Sequence, residues 1–417
     1  EEISPMEWKG SNEPRSSGLI ERGRRYYVPV FKPRDVVIDR GQGARVWDVD
    51  GREYVDLGSG IAVSSLGHQD PELVEALLAQ ARKLWHTSNI YFSEPTIRLA
   101  EELVTASFAE RVFFCNSGGE ANEAAIKLAR KHASRSRPPE QREIITFEGS
   151  FHGRTLATVT ATAQPKYHQG FEPLPAGFTY CPFNDFKAIE ARMSERTCAV
   201  LVEPVQGEGG IIEARPGFLA HLQALCRKHG ALLMFDEVQC GMGRTGRLFG
   251  YQWEEGVTPD VVTLAKGLAG GVPIGVMLAG PQVAETLQFG SHGTTFGGNP
   301  LAAAAARVVL RRVQSAELQA NVERQGRRLR ERLHAMAERF GRFREVRGPG
   351  LMVGAELQGD WEGKAGELTE RCRDQGVLVL QAGPNVLRFL PPLTVTDEEL
   401  DQGLSRVESA LAGVGPR

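Results

Sequence analysis

Between about Val112 and Ala279 one format recurs: a short apolar run rich in β-branched and aromatic residues, a turn with Gly or Pro, then a stretch with helical spacing. The runs are RVFFC (111–115), EIITF (143–147), CAVLVEP (198–204), ALLMFDEV (231–238), VVTLAKG (261–267) and PIGVMLAG (273–280). Strands that alternate with helices build a parallel sheet covered on both faces, because neighbouring parallel strands need a crossover long enough to hold a helix. Runs without strict apolar–polar alternation predict strands buried on both sides. GFLAHLQALCRKHG (217–230) supplies such a crossover: Phe218, Leu219, Leu222, Leu225 and Cys226 fall at helical spacing, and Gly230 offers a C-terminal cap.

The flanks read differently. ARVWDVDGREYVDL (44–57) is a hairpin, two alternating strands around Asp50-Gly51. Pro300–Val308 and Leu318–Phe340 have helix composition, and VRGPGLMVGAEL (346–357), GVLVL (376–380) and VLRFLPPLTV (386–395) predict a second, smaller sheet. At 417 residues the chain is too long for one core. The expected class is α/β, a large mostly parallel sheet domain with helices on both faces plus a small α+β domain made from both chain ends. The expected boundaries are a mobile tail at 1–18, small-domain residues 19–75, a large domain at 76–310 and the rest of the small domain at 311–417.

Lys plus Arg number 49 against 52 Asp plus Glu, a net charge of −3, without the basic excess of a nucleic-acid-binding surface. The 6 cysteines are scattered with no CxxC pair, which suits free thiols in a reducing, cytoplasmic setting and gives no metal-ligand spacing. No run of about 18 apolar residues predicts a membrane span, and the polar first residues do not read as a signal peptide.

Ligands of open parallel sheets bind beyond the carboxyl ends of the strands, which directs attention to polar residues after the apolar runs. These are Glu203, Asp236 with Glu237, Lys266, and NSGGE (116–120). Ser117, Gly118 and Gly119 stand where a helix starts with unpaired N–H groups, a geometry that binds phosphate or serves merely as a helix start. Neither GxGxxG nor a Gly-rich loop followed by GK[ST] occurs there. Lys266, between a strand and the Gly-rich KGLAGG, can lose its proton if desolvated and form a Schiff base. An acid, an amine and a phosphate-binding helix end are the three contacts that pyridoxal phosphate needs.

Together with IAVSSLGH (61–68), NSGGEANEAAIKLAR (116–130), FHGRT (151–155), VEPVQGEGG (202–210), FDEVQCGMGRTG (235–246), LAKGLAGGVPIG (264–275), HGTTFGGNP (292–300) and RFLPPL (388–393), these residues carry a resemblance. From about Tyr27 to about Ala410 the sequence resembles the class III, ornithine-type aminotransferases, pyridoxal-phosphate enzymes of fold type I. It is most similar to the acetylornithine branch and to the branch that makes lysine on an amino-group carrier protein. The resemblance implies that Lys266 bonds the cofactor aldehyde, Asp236 keeps the pyridine nitrogen protonated, Gln239 meets the ring oxygen and Phe151 stacks on the ring. It further implies that Ser117, Gly118 and Gly119 cradle the phosphate. The family usually has Thr or Ala where Gly119 stands, so a side-chain phosphate contact is missing here. His152 is given no chemistry and is read as a packed histidine. Thr295, with Thr294, would complete the phosphate site of the other subunit of a homodimer.

The resemblance extends to two arginines. Arg388 would hold the α-carboxylate of glutamate and Arg154 its side-chain carboxylate, each through the paired hydrogen bonds that a guanidinium offers. In the other half-reaction no carboxylate lies beside the reacting carbon, and Glu203 is expected to pair with Arg388 and to yield when glutamate arrives. The implied reaction moves an amino group between glutamate and N-acetylglutamate semialdehyde, giving N-acetylornithine, by a ping-pong route in arginine biosynthesis. A carrier-linked aminoadipate semialdehyde in lysine biosynthesis, presented by an acidic carrier protein, is the alternative acceptor. An aminomutase of the same fold is a further alternative that the two arginines disfavour.

Overall fold

The computed structural model describes residues 15–413. Of the expected mobile tail, residues 1–14 lie outside the described residues, and Arg15–Gly18 open the helix Arg15–Tyr26.

Seven strands form the central sheet, in the spatial order Arg111–Cys115, Gly275–Ala279, Val261–Leu264, Leu232–Asp236, Thr197–Val202, Glu143–Phe147, Phe178–Cys181. All the expected runs are in it. Two differences stand out. Gly275–Ala279 runs antiparallel to both of its neighbours, the ten-residue connection after Val261–Leu264 holding one 3-10 turn and no crossover helix of the kind that parallel pairing uses. Phe178–Cys181 is an edge strand that the sequence reading missed, being short and without a strong apolar run. The inner strands are buried throughout, as at Thr197–Val202 and Leu232–Asp236, whereas Arg111–Cys115, at the opposite edge, is buried only at Cys115.

The crossover helix runs Phe218–His229 and buries the five residues named for it, with Gly230 closing it at φ 62°. Phe218 packs edge-on to Phe147, ring centroids 5.7 Å apart, which pins this helix to the neighbouring strand. Truncating Phe147 to Ala would cost about 3–5 kcal/mol.

The hairpin pairs Arg45–Asp48 with Glu53–Asp56 as expected. The single small sheet expected near the C-terminus is instead two. Val377–Leu378 joins the N-terminal hairpin, running parallel to Glu53–Asp56, while Leu380–Ala382 turns into an antiparallel sheet with Phe343–Arg347, Val353–Leu357 and Val386–Phe389. GVLVL therefore serves both sheets, and the two ends of the chain share one of them.

Candidate active site

Three elements deliver the key groups to one end of the central sheet. Asp236 ends its strand and pairs in register with Thr263 of the neighbouring strand, so Lys266, three residues further, is set beside it. Lys266 opens a single 3-10 turn with φ 36°, a left-handed backbone that costs a non-glycine residue on the order of 1 kcal/mol or more and fixes where its amine points. Ser117 caps the helix Gly118–Ala133, its hydroxyl accepting the Glu120 N–H at 3.1 Å. Its helix start leaves the N–H groups of Gly118 and Gly119 facing a cavity of about 350 Å³. Phe151, His152, Glu203, Asp236, Gln239 and Lys266 line the same cavity.

Asp236 is 3% exposed and held by three donors. Oδ2 accepts from Asn122 Nδ2 at 2.8 Å and from His152 Nδ1 at 2.7 Å, and Oδ1 accepts from the Val238 N–H at 3.0 Å. Asn122 is fixed in turn: Thr263 Oγ1 donates to its Oδ1 at 2.7 Å, and its amide also reaches the His152 carbonyl at 2.8 Å. His152 is thus more than a packed histidine, because it orients the carboxylate through a chain of buried hydrogen bonds. Neither Asn122 nor Thr263 was singled out from the sequence. Asn122 falls one helical turn after Gly118, which is the spacing that brings it to the same face.

Burial lowers the Lys266 amine from its ordinary value, against the opposing pull of the Glu208 carboxylate, and the Arg388 guanidinium adds to the lowering. A desolvated lysine of this kind is a nucleophile nearer neutral pH.

Arg388 corrects one expectation. Its guanidinium is 2% exposed and donates from Nη1 to Glu208 Oε1 at 2.7 Å and to Gln239 Oε1 at 3.0 Å; the partner is Glu208, not Glu203. Glu203 is occupied elsewhere: Oε1 accepts the Phe151 N–H at 2.9 Å and Oε2 the Gly207 N–H at 3.3 Å. Burial pushes its carboxyl up to about 7, His152 working against the rise and Asp236 adding to it. Burial would raise Glu208 too, but Arg388, Lys266 and Gln239 together outweigh it and hold that carboxyl below its usual range. Both acids belong to VEPVQGEGG; the turn at 207 sends the second toward Arg388 and leaves the first under Phe151.

Arg154 does not line the cavity. It is exposed, its guanidinium carbon 4.1 Å from the ring centre of Tyr167 and 5.3 Å from that of Phe151. Thr295 is also exposed and outside the cavity, while Thr294 Oγ1 accepts from Asn116 Nδ2 at 3.4 Å.

The cavity suits a flat, phosphorylated heterocycle. Two glycines start the helix at one end of the cavity, a geometry that can receive a phosphate, and Gly118 has no room for a side chain, since a Cβ there would lie 2.7 Å from Val238 Cγ1. A fixed carboxylate stands where a ring cation can be held, and a desolvated amine stands where an aldehyde can be attacked.

A doubly covered, mostly parallel sheet with a lysine, an aspartate and a phosphate-binding helix end around one cavity defines a pyridoxal-phosphate enzyme of the aminotransferase kind. The family description "Aminotransferase class-III" matches residues 27–411, and the chain belongs to that family. It is 62% identical over 390 residues to the acetylornithine aminotransferase of Xanthomonas campestris, covering 93% of this chain and 95% of the relative. It is 50% identical over 388 residues to the succinylornithine transaminase/acetylornithine aminotransferase of Pseudomonas aeruginosa, with 93% and 95% covered. The crystal structure of N-acetylornithine aminotransferase from Stenotrophomonas maltophilia superposes with a TM-score of 0.84 at 53% identity, over 94% of this chain and 98% of that one. The protein is a pyridoxal-phosphate-dependent aminotransferase with small amino acids as substrates. Among the described residues no helix is long and apolar enough to cross a membrane.

Proposed function

We propose that the chain moves an amino group between glutamate and the terminal carbon of N-acetylornithine, by a ping-pong route in arginine biosynthesis in the cytoplasm. The observation that carries this reading is the Arg388–Glu208 pair beside the cavity. A buried guanidinium with a displaceable carboxylate partner serves two substrates in turn: glutamate brings its own α-carboxylate, and N-acetylornithine presents a bare terminal amine. Without Glu208, Arg388 would stand unpaired in the second case, at a cost of roughly 3–5 kcal/mol. The names borne by the relatives support the acetylated substrate over a carrier-linked one.

When bound, pyridoxal phosphate supplies an aldehyde for amine exchange and an electron sink for the bond that must break at the substrate carbon. In this reading the Gly118 and Gly119 N–H groups would hold the phosphate with the Ser117 cap, and Phe151 would cover one ring face. Gln239 would meet the ring oxygen, and Asp236, oriented by His152 and Asn122, would hold the ring nitrogen charged. Lys266 would hold the cofactor through its aldehyde and, once freed, its amine would move the proton at the substrate carbon. Arg388 takes the glutamate α-carboxylate. Arg154, now resting on Tyr167, takes the carboxylate at the far end. Glu203 fixes the backbone under Phe151 and is not a partner of Arg388.

A homodimer fits the exposure of Thr295 together with Phe289, Phe296, Ile90, Tyr91 and Phe92, an apolar surface that a second copy would cover while Thr295 reached its phosphate site. We likewise take residues 19–75 and 311–417 as one small domain and 76–310 as the large one; the strand shared by both chain ends supports the division.

The test is a single turnover. Holoenzyme mixed with glutamate alone should release one equivalent of 2-oxoglutarate per site with a change in cofactor absorbance, and N-acetylglutamate semialdehyde should restore the first spectrum. A higher kcat/KM for free ornithine, N-succinylornithine or a carrier-linked amine than for N-acetylornithine would contradict the substrate.

A further inference from the structure

Arg244 is 2% exposed and among the largest fully buried side chains, yet among the described residues no carboxylate pairs with it. A buried cation with no carboxylate in direct contact is an expensive way to fill space, and Asp56 opposes that cost only from a distance. Burial pushes its guanidinium down to about 9, so it still carries its charge at neutral pH. What it holds is backbone. Nη1 donates to the carbonyl of Leu351 at 3.0 Å and to the carbonyl of Pro391, and the Leu351 N–H returns a bond to the Arg244 carbonyl at 3.0 Å.

Those two carbonyls belong to the ends of neighbouring strands. Val353 pairs with Phe389 and Gly354 with Arg388, so Leu351 and Pro391 lie side by side just beyond the pairing, three residues from the Arg388 backbone. The contact is close: a Cβ on Gly350 would sit 2.5 Å from the Thr245 carbonyl carbon. Arg244 itself lies on the loop that follows Asp236 and Gln239, and Gln239 already accepts a hydrogen bond from Arg388. One guanidinium therefore ties the loop after the Asp236 strand to the strand that presents Arg388.

We propose that Arg244 is a positioning residue that sets where Arg388 stands relative to the Asp236–Lys266 cavity, and so tunes the enzyme's grip on an α-carboxylate. The proposal rests on the reading of Arg388 as the α-carboxylate anchor. A methionine fills a similar volume but offers no donor to the two carbonyls; both bonds leave from the one nitrogen Nη1, and a lysine keeps the charge and three donors but lacks the rigid planar guanidinium that holds that nitrogen in place between them.

Arg244→Lys and Arg244→Met holoenzymes, checked for folding by circular dichroism, would be compared with wild type and Arg388→Lys in the two half-reactions separately. Binding of glutarate, a dicarboxylate that cannot react, would be measured by calorimetry. Arg244→Lys should lower the glutamate half-reaction kcat/KM about tenfold and weaken glutarate about tenfold, while the N-acetylornithine half-reaction changes less than threefold; Arg244→Met should lose more in the same direction. Equal losses in both half-reactions, or unchanged glutamate and glutarate values in a folded variant, would overturn the positioning role. If Arg388→Lys shows no preference for the glutamate half-reaction, the reading of Arg388 fails; if it does and Arg244→Lys does not, the proposal alone fails.

Discussion

Two buried charged groups stand beside one cavity, and they are built in opposite ways. Asp236 has three donors, of which Asn122 is itself fixed by Thr263, so its carboxylate is held in one position. Arg388 has one close carboxylate, one amide oxygen and an Nε with no partner among the described residues. The first arrangement suits a charge that must never move, under a cofactor that stays through every cycle. The second suits a charge that must exchange partners as substrates alternate. A carboxylate gripped by several donors is held rigidly, whereas an ion pair with spare donors can be displaced by a ligand that offers a better fit.

The sharpest break is at the cavity itself: Lys266→Ala should lower kcat by about ten-thousand-fold, because both the covalent amine and the proton carrier are lost, with steady-state transamination as the measurement. On the rigid side, Asp236→Asn should slow both half-reactions together by about a hundred- to a thousandfold, since the ring cation loses its counter-charge in each. On the exchangeable side, Glu208→Gln should slow only the N-acetylornithine half-reaction, by about a hundredfold, leaving the glutamate half-reaction within about threefold. Glu203→Gln should show no such asymmetry. If it does, and Glu208→Gln does not, the sequence-based assignment was right and the partner seen here is incidental.

The smallest effect concerns Glu237, next to Asp236 but turned away from the cavity, where it accepts the Gly250 and Tyr251 N–H groups at 2.7 and 2.8 Å. Burial pushes it up to about 7 in the folded chain, against about 4.3 unfolded. Between those values the folded state binds more protons, so this group's contribution to stability falls as pH rises toward 7. Thermal unfolding at pH 5 and pH 8 should show wild type losing on the order of 1–3 kcal/mol more than Glu237→Gln over that interval. An identical slope in both proteins would place Glu237 outside the titrating groups.

The parts legible in the sequence were local. The hairpin at Asp50-Gly51 and the crossover helix ending at Gly230 follow from turn chemistry and spacing within fifteen residues or so, and the structure has both. Where a pairing partner lies far apart, the pattern was silent: GVLVL reads as one strand, and it is the distant pairing of Val377 with Val55, beside the local pairing of Leu380 with Arg388, that divides it between two sheets. The reversed direction of Gly275–Ala279 was hidden for the same reason, since an apolar run looks alike in either orientation.

The site divides along the same line. Lys266, Asp236 and the Ser117–Gly119 helix start could be picked out because each follows a strand, and neighbouring strands bring them together. Asn122 and Thr263 carry no signal of their own, being ordinary residues of a helix and a strand until the fold points them at Asp236. Glu203 and Glu208 lie five residues apart in one motif, and spacing could not say which meets an arginine 180 residues further along the chain. Arg244 hid within a loop motif whose contacts are to backbone, which leaves no side-chain partner to read.

The most direct measurement is to treat the purified holoenzyme with borohydride, digest it and locate the reduced cofactor by mass spectrometry. A phosphopyridoxyl group on the peptide containing Lys266, and absent from the Asp236→Asn protein only in proportion to lost cofactor, is the expected result. The group on any other lysine, or no covalent cofactor on a protein that still transaminates, would contradict the placement of the chemistry at Lys266.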